Sequence, residues 1–316
     1  MNRLLGRRLA VGLALGALVY LGLAIYGGWR DLAQAARLFH WPLLVPVLLL
    51  SLGNYMVRFL RWQRYLRRSE VAVEAWLSLR IFLCGLVMSV TPGKLGEVFK
   101  AYLVKAHTGA PVSRTGPIVV AERVTDLLAL VLLLFAGSLV YRTGWETVIV
   151  SGAVTGVLVL GLVSPHATHV VLALVERVPW LRSYGERIER AYASMRFLLG
   201  PSLLVQATLL GTLAWFCECL GFTLVLHGLG IDEPVARATF IYATATLVGA
   251  LLFLPGGIGG TEASMWALLV KDGAVKQHAL AATFIIRLAT LWFAVLVGAL
   301  VLLRDRRLTV EEADLG

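Results

Sequence analysis

Long apolar runs separated by short polar segments divide this sequence. A helix that crosses the ~30 Å hydrocarbon core of a bilayer needs about 20 predominantly apolar residues. Runs of this kind predict full transmembrane helices near 9–27, 41–60, 117–140, 146–164, 202–227 and 278–303. Two further apolar regions, about 76–105 and 238–270, are each interrupted by a Pro-Gly pair. The pattern predicts an all-α polytopic membrane protein with about six full transmembrane helices and two interrupted regions.

The positions of the basic residues indicate how these segments are oriented. Cytosolic loops of membrane proteins are enriched in Lys and Arg. If the N-terminus is cytosolic and each interrupted region returns to its side of entry, most of the 29 Lys and Arg residues fall in cytosolic segments. Arg58, Arg61 and Lys100 are among them. Full crossings would place basic loops on both sides, so we predict two re-entrant helical hairpins and cytosolic N- and C-termini.

The composition agrees with a membrane protein and excludes other classes. Of the 316 residues, 59% are hydrophobic and only 15% are charged, whereas soluble proteins carry about 25% charged residues. The net charge of +10 is explained by basic cytosolic loops, and no zinc-finger, RNA-recognition or P-loop motif is present, so we expect no nucleic-acid partner. The three cysteines, Cys84, Cys217 and Cys219, lie in apolar segments and predict neither disulfides nor a metal site. We expect no cofactor.

The segments are predicted to form one integral membrane domain, residues 1–316. The basic start is followed by a long apolar run without a clear cleavage site, so residues 9–27 are predicted to be an uncleaved first span. The connection at about 168–199 is too polar to span, and the helical spacing of Ile188, Tyr192, Met195 and Leu199 predicts an amphipathic helix. This helix lies either on the cytosolic membrane surface or against the helix bundle. Residues 304–316 are predicted to be a short cytosolic tail.

An internal repeat relates the two interrupted regions. "TPGKLGE" at 91–97 matches "LPGGIGGTE" at 254–262, and an arginine follows in the next span, Arg123 31 residues after Pro92 and Arg287 32 residues after Pro255. Repeat one covers about 41–140 and repeat two about 202–303. Because the hairpins enter from opposite faces, we predict inverted repeats, an arrangement typical of transporters with a site near the membrane midplane.

Basic residues at membrane depth predict an anion site. Ionisable side chains inside the membrane are costly and are therefore functional candidates. The substrate-binding candidates are Lys94, Arg123 and Arg287, together with Gly93 and Gly256 at the hairpin tips. Helix N-termini also attract anions, so the set favours a ligand such as phosphate. No catalytic residue set is predicted.

Five acidic residues are predicted to support this site or to relay protons. Glu97 and Glu262 would pair with the basic residues when no ligand is bound. Glu122 and Asp126 lie one helical turn apart on one face, which suits a proton relay, an orienting pair for a cationic group or a stabilising ion-pair network. In an enzyme they could instead bind a divalent metal. Glu218, between two cysteines, belongs to the same supporting group, and its role stays open.

A further polar stripe lies in the second span. Asn54, Arg58 and Arg61, at positions i, i+4 and i+7, share one helix face, as residues that contact a ligand would. Arginines near a helix end that extend toward the membrane surface explain Arg58 and Arg61 equally well. The sequence leaves both interpretations open.

Three segments are similar to motifs of the lysylphosphatidylglycerol synthase transmembrane-region family, also called flippase-like integral membrane proteins: "TPGKLGEVFKAYLV", "AERVTDLLAL" and "LPGGIGGTEASMWALL". The resemblance covers about residues 10–303. It implies a prokaryotic multi-pass protein of the plasma (inner) membrane and of the lipid-translocase type. In fused family members such a domain moves an aminoacylated phospholipid between leaflets, and a soluble aminoacyl-transferase domain makes that lipid. Here the sequence ends shortly after the last span, so synthase activity is not expected.

Three functions follow as expectations. The first is a flippase or scramblase that moves an anionic or phosphate-bearing lipid, either a phospholipid or a polyprenol-phosphate-type lipid. The second is a membrane-embedded enzyme acting on a lipid-linked phosphate, although no nucleophile or His-containing acid–base set is evident. The third is an accessory subunit of a lipid-modifying complex. A homo-oligomer or a lipid-modifying enzyme as partner stays open.

Overall fold

The computed structural model describes residues 29–91, 97–141, 144–164, 166 and 185–304. Within these residues the chain forms α-helices joined by short 3₁₀ and π segments, and it forms no strand there. The predicted first span, the predicted site residues Gly93 and Lys94, and the tail after Arg304 lie outside the described residues.

A short leading helix and the helices of repeat one make up the first half. They are α1 (Trp29–Leu38), α2 (Leu44–Arg68), α3 (Ala75–Gly85), α4 (Phe99–Thr108) and α5 (Val112–Tyr141). A 3₁₀ turn, Trp41–Leu43, precedes α2, and another, Leu86–Val90, extends α3.

Two connecting helices and the helices of repeat two make up the second half. They are α6 (Trp145–Val163), α7 (Gly185–Leu198), α8 (Pro201–Gly228), α9 (Val235–Leu251), α10 (Gly260–Lys271), α11 (Lys276–Arg287) and α12 (Phe293–Arg304). A π turn, Leu288–Trp292, joins α11 to α12 in one continuous helical segment.

The all-α polytopic membrane fold is confirmed. Four helical segments in the described part of the chain are long and apolar enough to cross a membrane: Trp41–Arg68, Trp145–Leu162, Pro201–Gly228 and Lys276–Arg304. Each coincides with a predicted span. Helix α5, with 30 residues, measures about 45 Å at ~1.5 Å per residue and contains the predicted span 117–140.

Each interrupted region contains two helical limbs. In the first, the limbs are Ala75–Val90 and Phe99–Thr108, and residues 92–96 between them lie outside the described residues. In the second, the limbs are separated by a break that comprises residues 252–259. In each region the two limbs pack against each other, α3 against α4 and α9 against α10. Gly256, Gly257 and Gly259 in the second break have φ values of 60°, 69° and 90°, a backbone region that glycine enters at little cost.

Glycines allow the limbs to approach closely. A Cβ atom on Gly249 would lie 2.0 Å from Oγ1 of Thr261, and one on Gly85 would lie 2.5 Å from Cγ of Lys100. Gly85 and Gly249 are as far apart in sequence as Arg123 and Arg287. The correspondence between the two halves therefore extends to the glycines at which each pair of limbs meets.

The two halves pack against each other reciprocally. Helices α2 and α8, the first of each repeat, run antiparallel: the His40 N–H donates to the Gly228 carbonyl (2.9 Å), and Asn54 Nδ2 donates to the Ala214 carbonyl (2.8 Å). Helix α5 packs against α9, and α12 packs against α3 and its 3₁₀ turn. The last helix of each repeat thus covers the first limb of the interrupted region in the other repeat.

The two interrupted regions meet near their breaks. The 3₁₀ turn that ends at Val90 contacts the turn Pro255–Gly257. Val90 and Ile258 belong to a small buried cluster with Leu291 and Val295. Equivalent parts of the two repeats therefore share one packing centre, beside which the candidate site lies.

Helix α2 shows how the bundle faces its surroundings. Its buried face is polar and includes Ser51, Asn54 and Arg58, whereas Leu49 and Leu52 on the other face are exposed. This is the reverse of an amphipathic helix in a soluble protein. In a membrane protein, polar side chains face the bundle interior and the outer surface is apolar.

Of the helical connection predicted at about 168–199, the second half is found as α7, and residues 168–184 lie outside the described residues. Helix α7 packs against α5 and α6, and Met195 and Leu198 are buried. The Arg68 guanidinium lies 3.9 Å from the centre of the Phe197 ring, within the range of a cation–π interaction. Of the two predicted arrangements, α7 adopts the one in which the helix packs against the bundle.

Candidate functional site

A cavity of about 290 Å³ lies between the two interrupted regions. Residues of α2, α5, α6, α8, α9, α10 and α11 line it, together with residues of the second break. Most lining side chains are apolar, and the charged or phenolic ones are Tyr55, Arg58, Arg123, Asp126, Glu218, Tyr242 and Arg287. This combination of apolar walls and a few polar groups is typical of ligand sites.

Arg287, at the end of α11, holds the second break. Its Nε donates to Glu262 Oε1 (2.6 Å), and its Nη2 donates to the Gly256 carbonyl (2.7 Å). The other carboxylate oxygen of Glu262 accepts the N–H of Gly259 (2.7 Å). The Glu262 carboxylate thus caps the start of α10, and the Gly259 N–H already has a hydrogen-bond partner.

The π turn that follows α11 is supported by α2. A π turn disturbs the regular pairing of backbone carbonyls, and such turns often occur at functional sites. Ser51 Oγ donates to the Ala289 carbonyl (2.8 Å), and the Tyr55 hydroxyl donates to the Thr290 carbonyl (3.0 Å). These bonds give the buried carbonyls partners and hold the segment against α2.

Arg123 and Glu97 form the corresponding ion pair in repeat one. Arg123 Nη2 lies 3.3 Å from Glu97 Oε2, and Nη1 lies 3.1 Å from Asp126 Oδ2. The Arg123 side chain is 20% exposed, whereas that of Arg287 is 8% exposed. The two arginines thus pair with repeat-related glutamates, and Arg123 is the more accessible.

Lys100 forms a buried ion pair that sequence analysis missed. Its Nζ lies 2.7 Å from Glu122 Oε2, 3.4 Å from Glu97 Oε2 and 4.6 Å from the centre of the Trp62 ring. Lys100 is 1% exposed, and Glu122 is fully buried. In repeat two the residue three positions after the acid is Met265, so this charge pair belongs to repeat one alone.

Asp126 is paired with arginines from two helices. Arg61 Nη2 donates to Asp126 Oδ1 (2.8 Å), to which Trp215 Nε1 also donates (3.2 Å), and Arg123 is the second arginine. Gly211 leaves space for Arg61, because a Cβ atom there would lie 2.8 Å from Arg61 Nη1. Glu122 and Asp126 therefore belong to different ion pairs, although they share a helix face.

The divalent-metal hypothesis finds no support in these contacts. Among the described residues, no group of three or more His, Cys, Asp or Glu side chains could hold a metal ion. Glu122 and Asp126 both face basic partners. The ion-pair network that sequence analysis offered as an alternative describes their geometry.

Arg58, Arg61 and Lys100, which the count of basic residues assigned to cytosolic segments, lie inside the helix bundle. These side chains are buried, with 6%, 0% and 1% exposure. They face carboxylates of α5 and of Glu97, and ion pairing offsets part of the cost of removing a charge from water. For Arg58 and Arg61, the face shared with Asn54 already indicated an inward position as one of two open interpretations, whereas the sequence offered no such signal for Lys100.

Glu218 has a phenolic partner. The Tyr242 hydroxyl donates to Glu218 Oε2 (2.6 Å), and both residues line the cavity. The structure thus brings Arg123, Asp126, Glu218, Gly256 and Arg287 to the cavity wall. Glu97, Glu122 and Glu262 lie behind this wall in ion pairs.

Comparisons with known proteins agree with this architecture. Residues 9–298 match the family described as "Lysylphosphatidylglycerol synthase TM region". A UPF0104 membrane protein of Methanothermobacter thermautotrophicus is 26% identical over 311 residues, which cover 91% of this chain and 90% of the relative. UPF0104 membrane proteins of Methanocaldococcus jannaschii and Pyrococcus horikoshii are 24% and 23% identical.

The matched regions are long in every case. The M. jannaschii match covers 68% of this chain and 92% of the relative, and the P. horikoshii match covers 85% and 90%. The family match includes both interrupted regions and every residue of the cavity wall. The chain is therefore an integral, multi-pass membrane protein that belongs to the lysylphosphatidylglycerol synthase transmembrane-region family.

Proposed function

We propose that this protein is a lipid translocase, a flippase or scramblase, which moves an anionic or phosphate-bearing lipid between the leaflets of the plasma membrane. The observation that carries the proposal is the cavity inside the helix bundle, which Arg58, Arg123 and Arg287 line beside both interrupted regions. Buried cations in a membrane protein are costly and typically mark a ligand site or a pathway. A phosphate group is the natural partner of converging guanidinium groups.

The size and rim of the cavity suit a lipid headgroup. Its volume of about 290 Å³ is close to the lower end of the ~300–1,000 Å³ range of small-molecule sites. Leu158 and Phe253 line the cavity and are 41% and 68% exposed on the apolar outer surface. A headgroup can enter beside them while the acyl chains stay in the surrounding lipid.

The packing of the two halves supports a transport mechanism with inverted repeats. The first helices of the repeats run antiparallel, and each last helix covers the first limb of the other repeat. Inverted repeats permit two related conformations that open to opposite sides. The two re-entrant hairpins would open alternately, and Asp126 and Glu218 are the carboxylates on the cavity wall that could couple this movement to protons.

The test is translocation of labelled phospholipids by the purified protein in liposomes. Accessibility to a membrane-impermeant reagent reports the leaflet in which each labelled lipid lies. We expect wild type to move lipid faster than protein-free liposomes do. The double variant Arg287→Gln/Glu262→Gln should be at least about tenfold slower, because a hydrogen bond to a charged group contributes about 1.5–3 kcal/mol. The double change avoids an unpaired buried carboxylate.

A similar ion pair outside the cavity is the matched control. Arg237 pairs with Asp272 through both carboxylate oxygens, and neither residue lines the cavity. The variant Arg237→Gln/Asp272→Asn should translocate at the wild-type rate. The proposal would be refuted if liposomes with wild-type protein translocated lipid no faster than protein-free liposomes. Equal translocation rates for the two double variants would also refute it. Conversion of the lipid into a new species would indicate an enzyme instead.

A further inference from the structure

We propose that Arg58 and Arg123 form an oxyanion subsite in this cavity, where a phosphate-type oxygen replaces the long contact between Arg58 and Glu97. The inference deepens the proposed function and rests on it for the presence of a lipid. It identifies Arg58 as the residue whose pairing is completed by an anion that enters the cavity.

The first observation is the incomplete pairing of Arg58. Its side chain is 7% exposed, and its Nη2 lies 3.9 Å from Glu97 Oε1, beyond the ~2.7–3.2 Å of an N–H···O hydrogen bond. Its Nε is buried and has no hydrogen-bond partner among the described residues. A buried guanidinium in this situation gains more from an added anion than a fully paired one does.

The second observation is the competition for Glu97. Lys100 and Arg123 approach Glu97 Oε2 to 3.4 Å and 3.3 Å. Each of these two cations also has a closer carboxylate, Glu122 at 2.7 Å for Lys100 and Asp126 at 3.1 Å for Arg123. In the described part of the chain, Arg58 has ionic contact with Glu97 alone. One carboxylate therefore serves three cations, and Arg58 is the most weakly held.

The third observation is the convergence of two arginines on one volume. Arg58 and Arg123 both contact Glu97 and both line the cavity. Each also has a buried Nε without a hydrogen-bond partner among the described residues. Planar guanidinium forks match the oxygens of phosphate in bidentate fashion. The ligand chemistry that fits is therefore a phosphate-type oxyanion, either in a lipid headgroup or as free phosphate.

Arg287 differs from Arg58 and Arg123 because its Nε already has a hydrogen-bond partner. Its Nε and Nη2 are already bonded to Glu262 and to the Gly256 carbonyl at 2.6 Å and 2.7 Å. These contacts hold the second break in place beside the subsite. Loss of Arg287 should therefore change the second break, whereas loss of Arg58 should lower anion affinity and leave the second break in place.

The test measures binding to the purified full chain in detergent by calorimetry. The probes are a short-chain phosphatidic acid below its micellar concentration, inorganic phosphate, and chloride at equal ionic strength. The variants are Arg58→Gln, Arg58→Lys and, as the matched control on the same helix, the exposed Arg64→Gln. We expect Arg58→Gln to weaken binding of a phosphate probe at least about tenfold, the effect of losing one charge-assisted hydrogen bond. The affinity of Arg58→Lys for the probe should lie between those of wild type and Arg58→Gln, and the affinity of Arg64→Gln should equal that of wild type.

Thermal unfolding of the same samples separates ligand contact from structural support. Because Glu97 keeps Lys100 and Arg123, Arg58→Gln should unfold at the wild-type temperature or above it. Binding by Arg58→Gln as strong as by wild type would overturn the subsite. The subsite would also be overturned if both Arg58→Gln and Arg58→Gln/Glu97→Gln lost binding only to the extent that they lost folded protein.

The two probes and the liposome assay distinguish the remaining outcomes. Arg58-dependent binding of phosphatidic acid but not of inorganic phosphate supports a lipid headgroup, and binding of both supports recognition of the oxyanion itself. Arg58-dependent binding without lipid movement in liposomes would support the subsite while refuting the translocase. Lipid movement that is equal in wild type and Arg58→Gln would refute the subsite while leaving the translocase in place.

Discussion

At the residue scale, the buried charges of repeat one form a connected network. Lys100 lies between Glu122, Glu97 and the Trp62 ring, and it is almost completely buried. The opposite charges face each other at short distances, which offsets part of the desolvation cost. Removal of one member leaves its partner charged and buried. Repeat two has the buried Met265 at the corresponding position.

This arrangement predicts the stability of Lys100 variants. Lys100→Met should destabilise the protein by about 3–5 kcal/mol, because Glu122 would keep a buried charge without its closest partner. The double variant Lys100→Met/Glu122→Gln should recover much of this loss, because the buried charge is removed as well. Denaturant unfolding of the purified protein measures both. Equal destabilisation by the single and double variants would contradict the prediction.

At the scale of elements, the interrupted regions depend on close approach of their limbs. Gly249 in α9 faces Thr261 in α10, and Gly85 in α3 faces Lys100 in α4. A side chain at either glycine would separate the two limbs and move the break that lies beside the cavity. In repeat two, Arg287 and Glu262 reinforce this closure by binding Gly256 and Gly259 of the second break.

We predict that Gly249→Ala lowers both the unfolding temperature and the translocation rate. The new Cβ atom would lie 2.0 Å from Thr261 Oγ1 and 3.2 Å from backbone atoms of Gly257, so the limbs must move apart. Overpacking of this kind costs about 1–3 kcal/mol. The control is Gly156→Ala in α6, where a Cβ atom meets no atom within 4 Å. Equal unfolding temperatures for the two variants would show that the limbs do not need this contact.

At the scale of the whole molecule, the contacts place the C-terminal end of α4 and the C-terminal end of α10 near opposite ends of α5. Helix α5 begins shortly after α4 ends, and its far end approaches the start of α9 where Gly137 faces Ala236. The start of α9 also pairs with the residue after α10 through Arg237 and Asp272. The end of α4 and the end of α10 therefore lie at opposite ends of α5, as re-entrant hairpins from opposite faces require.

Cysteine labelling in intact cells tests this arrangement in the membrane. In a background in which Cys84, Cys217 and Cys219 are replaced by serine, Lys105→Cys and Lys271→Cys should react with an impermeant maleimide from opposite faces. Lys105→Cys should require opened cells, because the basic side is cytosolic. Labelling of both positions from one face would refute the inverted repeats.

The sequence by itself determined the helices, their interruptions and the family. Apolar length specifies spans because a bilayer requires it. The two Pro-Gly pairs predict interruptions because proline lacks an N–H donor and glycine enters left-handed backbone at little cost. Glu97, Arg123, Glu262 and Arg287 stood out because charge within apolar runs is conspicuous.

Only the tertiary structure decided which charges meet. The sequence counted Arg58 and Lys100 with the cytosolic basic residues, because they stand near the ends of apolar runs, and it left open whether Arg58 contacts a ligand. Their burial depends on carboxylates from other parts of the chain, Glu97 for Arg58 and Glu122 for Lys100. A one-dimensional pattern records the position of a charge along its own helix and not the helix packed across from it. The incomplete pairing of Arg58 follows from that packing, because three cations converge on Glu97.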